Sequence, residues 1–409
     1  MLRSIAYYVS TLLLLSVVLG LVSEEGAGQD GSTWTDMDPA LRPAARNYHA
    51  MAYDSESDRV VLFGGLAVTD PPQAEVSDDT WAYDVNTDTW TNMDPVSRPS
   101  PRFYHAMAYD SESDRVVLFG GFTATGTFSD DTWTYDLNTN TWTDVNPAVE
   151  PSGRANQGMA YDTESDRVVL FGGSTGIPGG YAGDLSDDTW TYDLNTNTWT
   201  DMNPAVGPSG RIGHVMAYDA ESDRVVLFGG SSGVPGPPPW DLNDDTWTYD
   251  VNTNTWTDVA PAAGPSARSY FPYQGMAYDA ESDRVVLFGG LTATGVDIET
   301  WTYDANTNTW TNVTPATSPS AYAGHAMVYD TESDRVILFG GNPITGNAID
   351  ETWAYHLFTA EPPGAPLSLV AIAVVAVSAA AVVGAALLIR RRRGREGTEE
   401  NDSGGESSD

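Results

Sequence analysis

The side chains of this chain best able to do chemistry recur at fixed spacing. Arg46, Arg102 and Arg211 each stand three residues before a histidine, namely His49, His105 and His214. Arg154 stands three before Gln157, Arg268 is displaced from Gln274 by a short insertion, and His325 keeps its place with Tyr322 in the Arg position. Guanidinium and imidazole groups gathered in one place could focus field on an anion or move a proton. Three carboxylates recur beside them, as Asp54, Glu56 and Asp58 in the first copy, and a second acidic pair such as Asp78–Asp79 precedes a Thr-Trp step. Alternating carboxylates can ligate Ca²⁺, which takes six to eight oxygens. Turn chemistry and pairing with a nearby Arg explain the same residues without any metal, so calcium is the one ion to consider and no cofactor is assigned. No nucleophile–base set with specific spacing is present. A residue that repeats in register is more often architectural than catalytic, and no catalytic residue is named.

Composition excludes whole classes. The 409 residues contain no Cys and no Lys, so thiol chemistry, thiolate metal sites, Schiff bases and the Walker phosphate loop are absent. All 19 basic residues are Arg, against 57 acidic ones, for a formal charge of −38. Such a surface repels phosphate backbones, and nucleic acid is not an expected partner.

The positioning elements follow from one stretch, Asp-Arg-Val-Val-Leu-Phe-Gly-Gly. It occurs at 58–65, 114–121, 166–173, 223–230 and 283–290, and again at 334–341 with Ile337 as the single change. Apolar residues at successive positions suit a strand covered on both faces. The copies lie 51 to 60 residues apart, a period typical of propeller blades. Within one unit, His49–Asp54 reads as strand a, Arg59–Phe63 as strand b, Thr80–Asp84 as strand c and Thr89–Met93 as strand d. A loop runs from the glycine pair to Asp79. Strands a, b and c each occur six times. Strand d also occurs six times, but its first copy, Ser32–Met37, precedes every strand a, and none follows the last strand c. Six blades closed by the N-terminal strand satisfy that count and leave no open edge.

The Gly pair, with a Tyr 18 residues later and a Trp 7 after that (Gly65, Tyr83, Trp90), resembles the kelch repeat over residues 32–358. The resemblance implies an all-β, six-bladed kelch-type propeller. The kelch family includes adhesion and protein-binding modules and a few enzymes, so fold alone leaves the function open. The kelch-type copper oxidases use a Cys–Tyr crosslink, which a chain without Cys cannot form.

The two ends read differently. Residues 1–28 hold Arg3, an apolar stretch and a short linker, as a secretory signal does. Residues 366–389 carry no charge and as a helix would span about 36 Å, enough for a ~30 Å hydrocarbon core. Arg390–Arg393 follow directly, which places the basic-then-acidic tail 390–409 in the cytoplasm. Residues 359–365, with Pro362 and Pro363, form a stiff stalk. The propeller, 29–358, is thus expected outside the cell membrane on a single-pass anchor.

In such a meander the a–b and c–d turns share one face of the ring, and the b–c and d–a connections share the other. The first set hardly varies. The b–c loops instead hold 14, 10, 15, 15, 9 and 10 residues, and length variation on one face marks a binding surface. Twelve of the 13 tryptophans sit at two repeated strand positions, where packing between blades accounts for them. Trp240, in the Pro-stiffened fourth b–c loop, does not. It could stack on a sugar or anchor a protein, as could Tyr181 on the third b–c loop and Tyr270, Phe271 and Tyr273 in the fifth d–a connection. Strand a is innermost in a propeller, so the Arg and His positions should ring the channel mouth on this variable face. The expected function is a cell-surface binding protein for a glycan or a protein. An extracellular carbohydrate-active hydrolase or epimerase, and a structural coat protein, are the alternatives. Asn312-Val-Thr is a glycosylation sequon on the exported domain.

Overall fold

The computed structural model describes residues 31–70, 73–175, 185–233, 241–268, 274–320, 323–341 and 347–357. They contain strands and no helix, and among them no helix is long and apolar enough to cross a membrane. The signal-like, stalk, apolar and tail segments at 1–28 and 359–409 lie outside these residues.

Six four-stranded antiparallel sheets repeat along the chain. In the first, Ala50–Asp54, Arg59–Phe63, Thr80–Asp84 and Thr89–Asn92 pair in chain order. The last combines Ala326–Asp330, Arg335–Phe339 and Thr352–His356 with the leading strand Thr33–Asp36. Thr33 pairs with His356 and Asp36 with Trp353, so the chain's first strand is the outer edge of its last sheet. The inner strands touch in a cycle, Ala326–Asp330 returning to Ala50–Asp54. These repeated sheets fit a kelch propeller.

Why this sequence packs so is visible in strand b. Val60, Val61, Leu62 and Phe63 are all 0% exposed. Side chains alternate across a strand, so Val60 and Leu62 join a cluster with Ile337 and Phe339 of the last sheet, while Val61 and Phe63 join Met107 and Leu118 of the next. Each buried side chain contributes roughly 1.5–3 kcal/mol, and no sheet can bury its strand b without both neighbours.

The a–b turns are built from Asx chemistry. Asp54 Oδ1 accepts the N–H groups of Glu56 and Ser57, and Asp58 closes the turn at φ 53°. Asp and Asn tolerate that left-handed conformation better than most residues. At the other end of strand b the glycine pair is required. Gly64 has φ +67°, and a Cβ there would sit 2.7 Å from the Arg102 carbonyl of the next sheet.

Three b–c connections differ from expectation, since the second pairs Phe122–Thr123 with Arg102–Phe103, the fifth folds Leu291–Thr292 onto Gly295–Val296, and the first departs furthest. The first b–c segment is not simply a loop: Leu66–Asp70 and Gln73–Val76 form a hairpin that also pairs with Arg46–Asn47. Its polar Gln73-Ala-Glu-Val half alternates poorly, which hides a strand from pattern reading.

Candidate binding faces

Strand direction sorts the sheet ends into two faces. The a–b and c–d turns lie at one end. His356 and Thr33 stand side by side where other sheets carry a c–d turn, so both ends of the described chain also leave there. The b–c and d–a connections occupy the opposite, variable face.

The recurring arginines lie beneath that variable face, not on it. Arg46, Arg102, Arg154, Arg211 and Arg268 are 0–1% exposed. Arg154 shows the pattern: Nη2 donates to Asp188 Oδ2 at 2.8 Å, Nη1 to the Gly172 carbonyl at 3.0 Å and Nε to the Ser152 carbonyl at 3.0 Å. Asp79, Asp131 and Asp245 hold Arg46, Arg102 and Arg211 in the same way. Arg268, displaced in sequence, regains the same place and bonds Asp297 and the Gly289 carbonyl. The acidic pair before strand c is therefore split: Asp79 turns inward to Arg46, while Asp78 lies in reach of Arg98 at the surface. Asp79 also accepts Ser77 Oγ and Trp81 Nε1. Burial pushes its carboxyl up, but Arg46, Ser77 and Trp81 together outweigh that and hold it below the usual range. These guanidiniums pin five of the six b–c loops to the connection before strand a. They offer no free face to an outside anion.

The histidines are buried too. His49, His105, His214 and His325 are 4–6% exposed, each ring set against a Phe of the preceding sheet, as His105 is on Phe63 at 5.5 Å. Burial first, then the adjacent Arg102 or Arg211, lowers His105 and His214 to about 3, and His49 is lowered as well. His49, His105 and His214 are thus neutral, and all four rings are wedges between sheets. With the Arg they do not make an accessible acid–base pair. Among the described residues no group of three or more His, Asp or Glu could hold a metal ion.

The strand-d tryptophans serve packing, as their repeat implies. Trp142 is 2% exposed and donates Nε1 to Thr80 Oγ1 of the preceding sheet at 2.9 Å. The strand-c set is less buried and donates instead to the carboxylate two residues back, as Trp190 does to Asp188. Trp240, Tyr181, Tyr270, Phe271 and Tyr273 lie outside the described residues.

Sequence reasoning missed the centre of the variable face. Around the axis, Tyr48 N–H donates to the Gly324 carbonyl, Tyr104 to Tyr48, Asn156 to Tyr104 and Gly213 to Asn156, an arc of backbone bonds at 2.8–3.3 Å. It holds Tyr48 and Tyr104 at φ 59° and 60°, a conformation bulky residues seldom adopt. From there a row of half-buried aromatics runs outward. Tyr48 meets Tyr104 at 4.5 Å, Tyr104 meets Phe103 at 4.7 Å, Phe103 meets Phe122 at 5.5 Å and Phe122 meets Phe128 at 5.3 Å. Phe122 and Phe128 belong to the second b–c loop, and Phe122 pairs with Phe103 in a two-stranded ladder. The available signal was the residue before each His or Gln position, which is Tyr in three copies and Asn or Gly in the other three.

Comparison with known proteins now decides the family. The KLHDC2/KLHL20/DRC7 Kelch-repeats domain matches residues 29–207 and 179–361. The chain belongs to the kelch-repeat family. Kelch repeats generally mediate protein binding, so the coarse reading is an interaction scaffold. Among similar proteins, Multiple epidermal growth factor-like domains protein 8 of Mus musculus is 28% identical, over 71% of this chain and 10% of that protein. Putative adagio-like protein 2 of Oryza sativa subsp. japonica is 26% identical over 68% of this chain and 44% of its own length. Mei4-dependent protein 6 of Schizosaccharomyces pombe is 21% identical over 73% and 45%. The chain thus spans less than half the length of each of these relatives.

Proposed function

We propose that this kelch protein is a closed six-bladed propeller, exported and held at the cell membrane by residues 366–389, that binds a surface protein or glycan through its variable face. The observation that carries the reading is the aromatic row Tyr48–Tyr104–Phe103–Phe122–Phe128 on that face. Its rings are large, rigid and half-buried, the kind of surface that anchors a partner at low entropic cost. Loop length varies on the same face, and both ends of the described chain leave from the opposite one. Trp240 and the fifth d–a aromatics would extend the surface. Binding without chemistry is favoured because the Arg and His that a hydrolase or epimerase would need are buried and engaged.

The full chain in a non-ionic detergent, screened against glycan arrays and surface-protein extracts, should retain a specific ligand. Tyr104→Ala with Phe122→Ala should weaken it at least about tenfold, as truncation of interface anchors does. An unchanged affinity would place binding elsewhere. Alkaline carbonate should leave the full chain with membranes and release a chain ending at residue 358; release of both would remove the anchor.

A further inference from the structure

A second cavity opens on the other, repeated face and belongs to none of the readings above. It has a volume of about 380 Å³, within the range of small-molecule sites. The six inner strands line it in register. Met51, Ala52, Tyr53 and Ser55 supply one side, and the same four positions of the other five sheets supply the rest, with Val328 replacing one Ala. It shares no lining residue with the small cavity beneath the Tyr48–Tyr104 collar. The wall is thioether, methyl and phenol with the hydroxyls of Ser55, Ser111, Thr163 and Thr331 at its mouth, and no charged side chain lines it.

The rim is the reverse. Each of the six a–b turns that surround the mouth carries three carboxylates, as in Asp54, Glu56 and Asp58. In the first turn the nearest partners are neutral. Asp54 takes backbone N–H groups, and Asp58 takes the Tyr53 hydroxyl at 3.0 Å and Asn86 Nδ2 at 2.7 Å. In five of the six turns the Arg that follows pairs with the Asp that opens the c–d turn. Arg115 lies 2.8 Å from Asp136 of the c–d turn but 3.6 Å from Asp114. Negative charge accumulates accordingly: Glu56 is raised from its ordinary value, first by Asp114 of the neighbouring turn.

From an apolar, aromatic and polarizable chamber under an acidic rim, we infer that the repeated face binds a small organic cation with an apolar body, a substituted ammonium or guanidinium. The body fills the chamber against methionine and tyrosine, which favour cations through sulfur polarizability and ring quadrupoles. The rim concentrates cations and excludes anions. A neutral molecule of the same shape gains only the first of these terms.

The test uses benzyltrimethylammonium with the full chain, labelled at its methionine methyl groups and kept in a maltoside detergent. The chamber holds Met51, Met107, Met159, Met216, Met276 and Met327, while Met37, Met93 and Met202 lie elsewhere and report non-specific effects. The six chamber methyl signals should shift and saturate while those of Met37, Met93 and Met202 stay fixed. Benzyl alcohol should bind about tenfold or more weakly, and benzenesulfonate should not bind, because rim charge discriminates between them. Ala220 and Ala280 line the chamber at its mouth, at an exposed position that varies among the repeats. Ala220→Arg with Ala280→Arg should reduce the affinity about tenfold, an electrostatic loss that salt also produces. Ala220→Gln with Ala280→Gln, which adds similar bulk without charge, should reduce it clearly less than the arginines do. Equal shifts from all three probes, shifts confined to Met37, Met93 and Met202, or an affinity unmoved by the arginines would each overturn the inference.

Discussion

Trp90 of the first sheet donates its indole N–H to Thr352 Oγ1 of the last at 3.0 Å, across 262 residues of chain. Trp34 of the leading strand does the same to Thr300 of the fifth sheet, so the N-terminal segment is bound on both sides of the seam. Trp34→Ala should therefore destabilise the whole domain by about 3–5 kcal/mol, as truncation of a buried Trp does. Trp34→Phe should cost much less, since it loses mainly the hydrogen bond. Urea denaturation measures both, and a Trp34→Ala protein as stable as the parent would show that the leading strand is dispensable.

The Arg–Asp pairs beneath the variable face should respond unequally to loss of either partner. Arg154 is fully buried, whereas the Asp188 side chain keeps 29% exposure. Asp188→Ala leaves a buried cation unpaired and should cost about 3–5 kcal/mol. Arg154→Met leaves a carboxylate that water can reach and should cost less. The double variant should recover part of the Asp188→Ala loss. Denaturation midpoints of the three proteins check the order.

The buried histidines predict an acid-sensitive fold. His105 and His214 sit at about 3 against an ordinary value of 6.5, with burial as the first cause. Between those values the unfolded chain binds protons that the folded chain refuses. Stability is therefore full above pH 6.5 and falls as pH drops toward 3, by up to about 1.4 kcal/mol per pH unit for each histidine. Gln157 and Gln274 already occupy the same repeat position. His105→Gln with His214→Gln should flatten the stability profile over that window, while contributions from carboxylates cancel in the comparison. Parallel slopes for parent and variant would refute it.

Two glycines separate backbone strain from crowding. Gly120 and Gly126 have similar φ, +73° and +82°. A Cβ at Gly120 would meet the Arg154 carbonyl at 2.8 Å, whereas nothing lies within 4 Å of one at Gly126. Gly126→Ala should cost about 1 kcal/mol for the left-handed backbone alone, and Gly120→Ala clearly more because two sheets must part. Thermal melts of the two variants give the comparison.

Much of the fold was legible because the repeat states it six times. Val60–Phe63 shows a strand covered on both sides, the Asx turns show where chains reverse, and the misplaced first Trp segment shows where the last sheet finds its fourth strand. The candidate surface was less legible. Arg154 and His214 carry polar chemistry in any sequence listing, yet both are buried, and the aromatic row that replaces them is built from Tyr48, Phe103 and Phe122 at unremarkable positions.

The sequence by itself determined the repeat, the strand order within each unit and the two unlike loop sets, because these depend on local patterning and turn chemistry. Only the tertiary structure decided which polar groups are committed and which surfaces are offered. Arg154 meets Asp188 across 34 residues and Asn156 meets Tyr104 across a sheet boundary. Contacts between units leave no trace in the spacing within a unit, and burial is a property of the neighbours rather than of the residue.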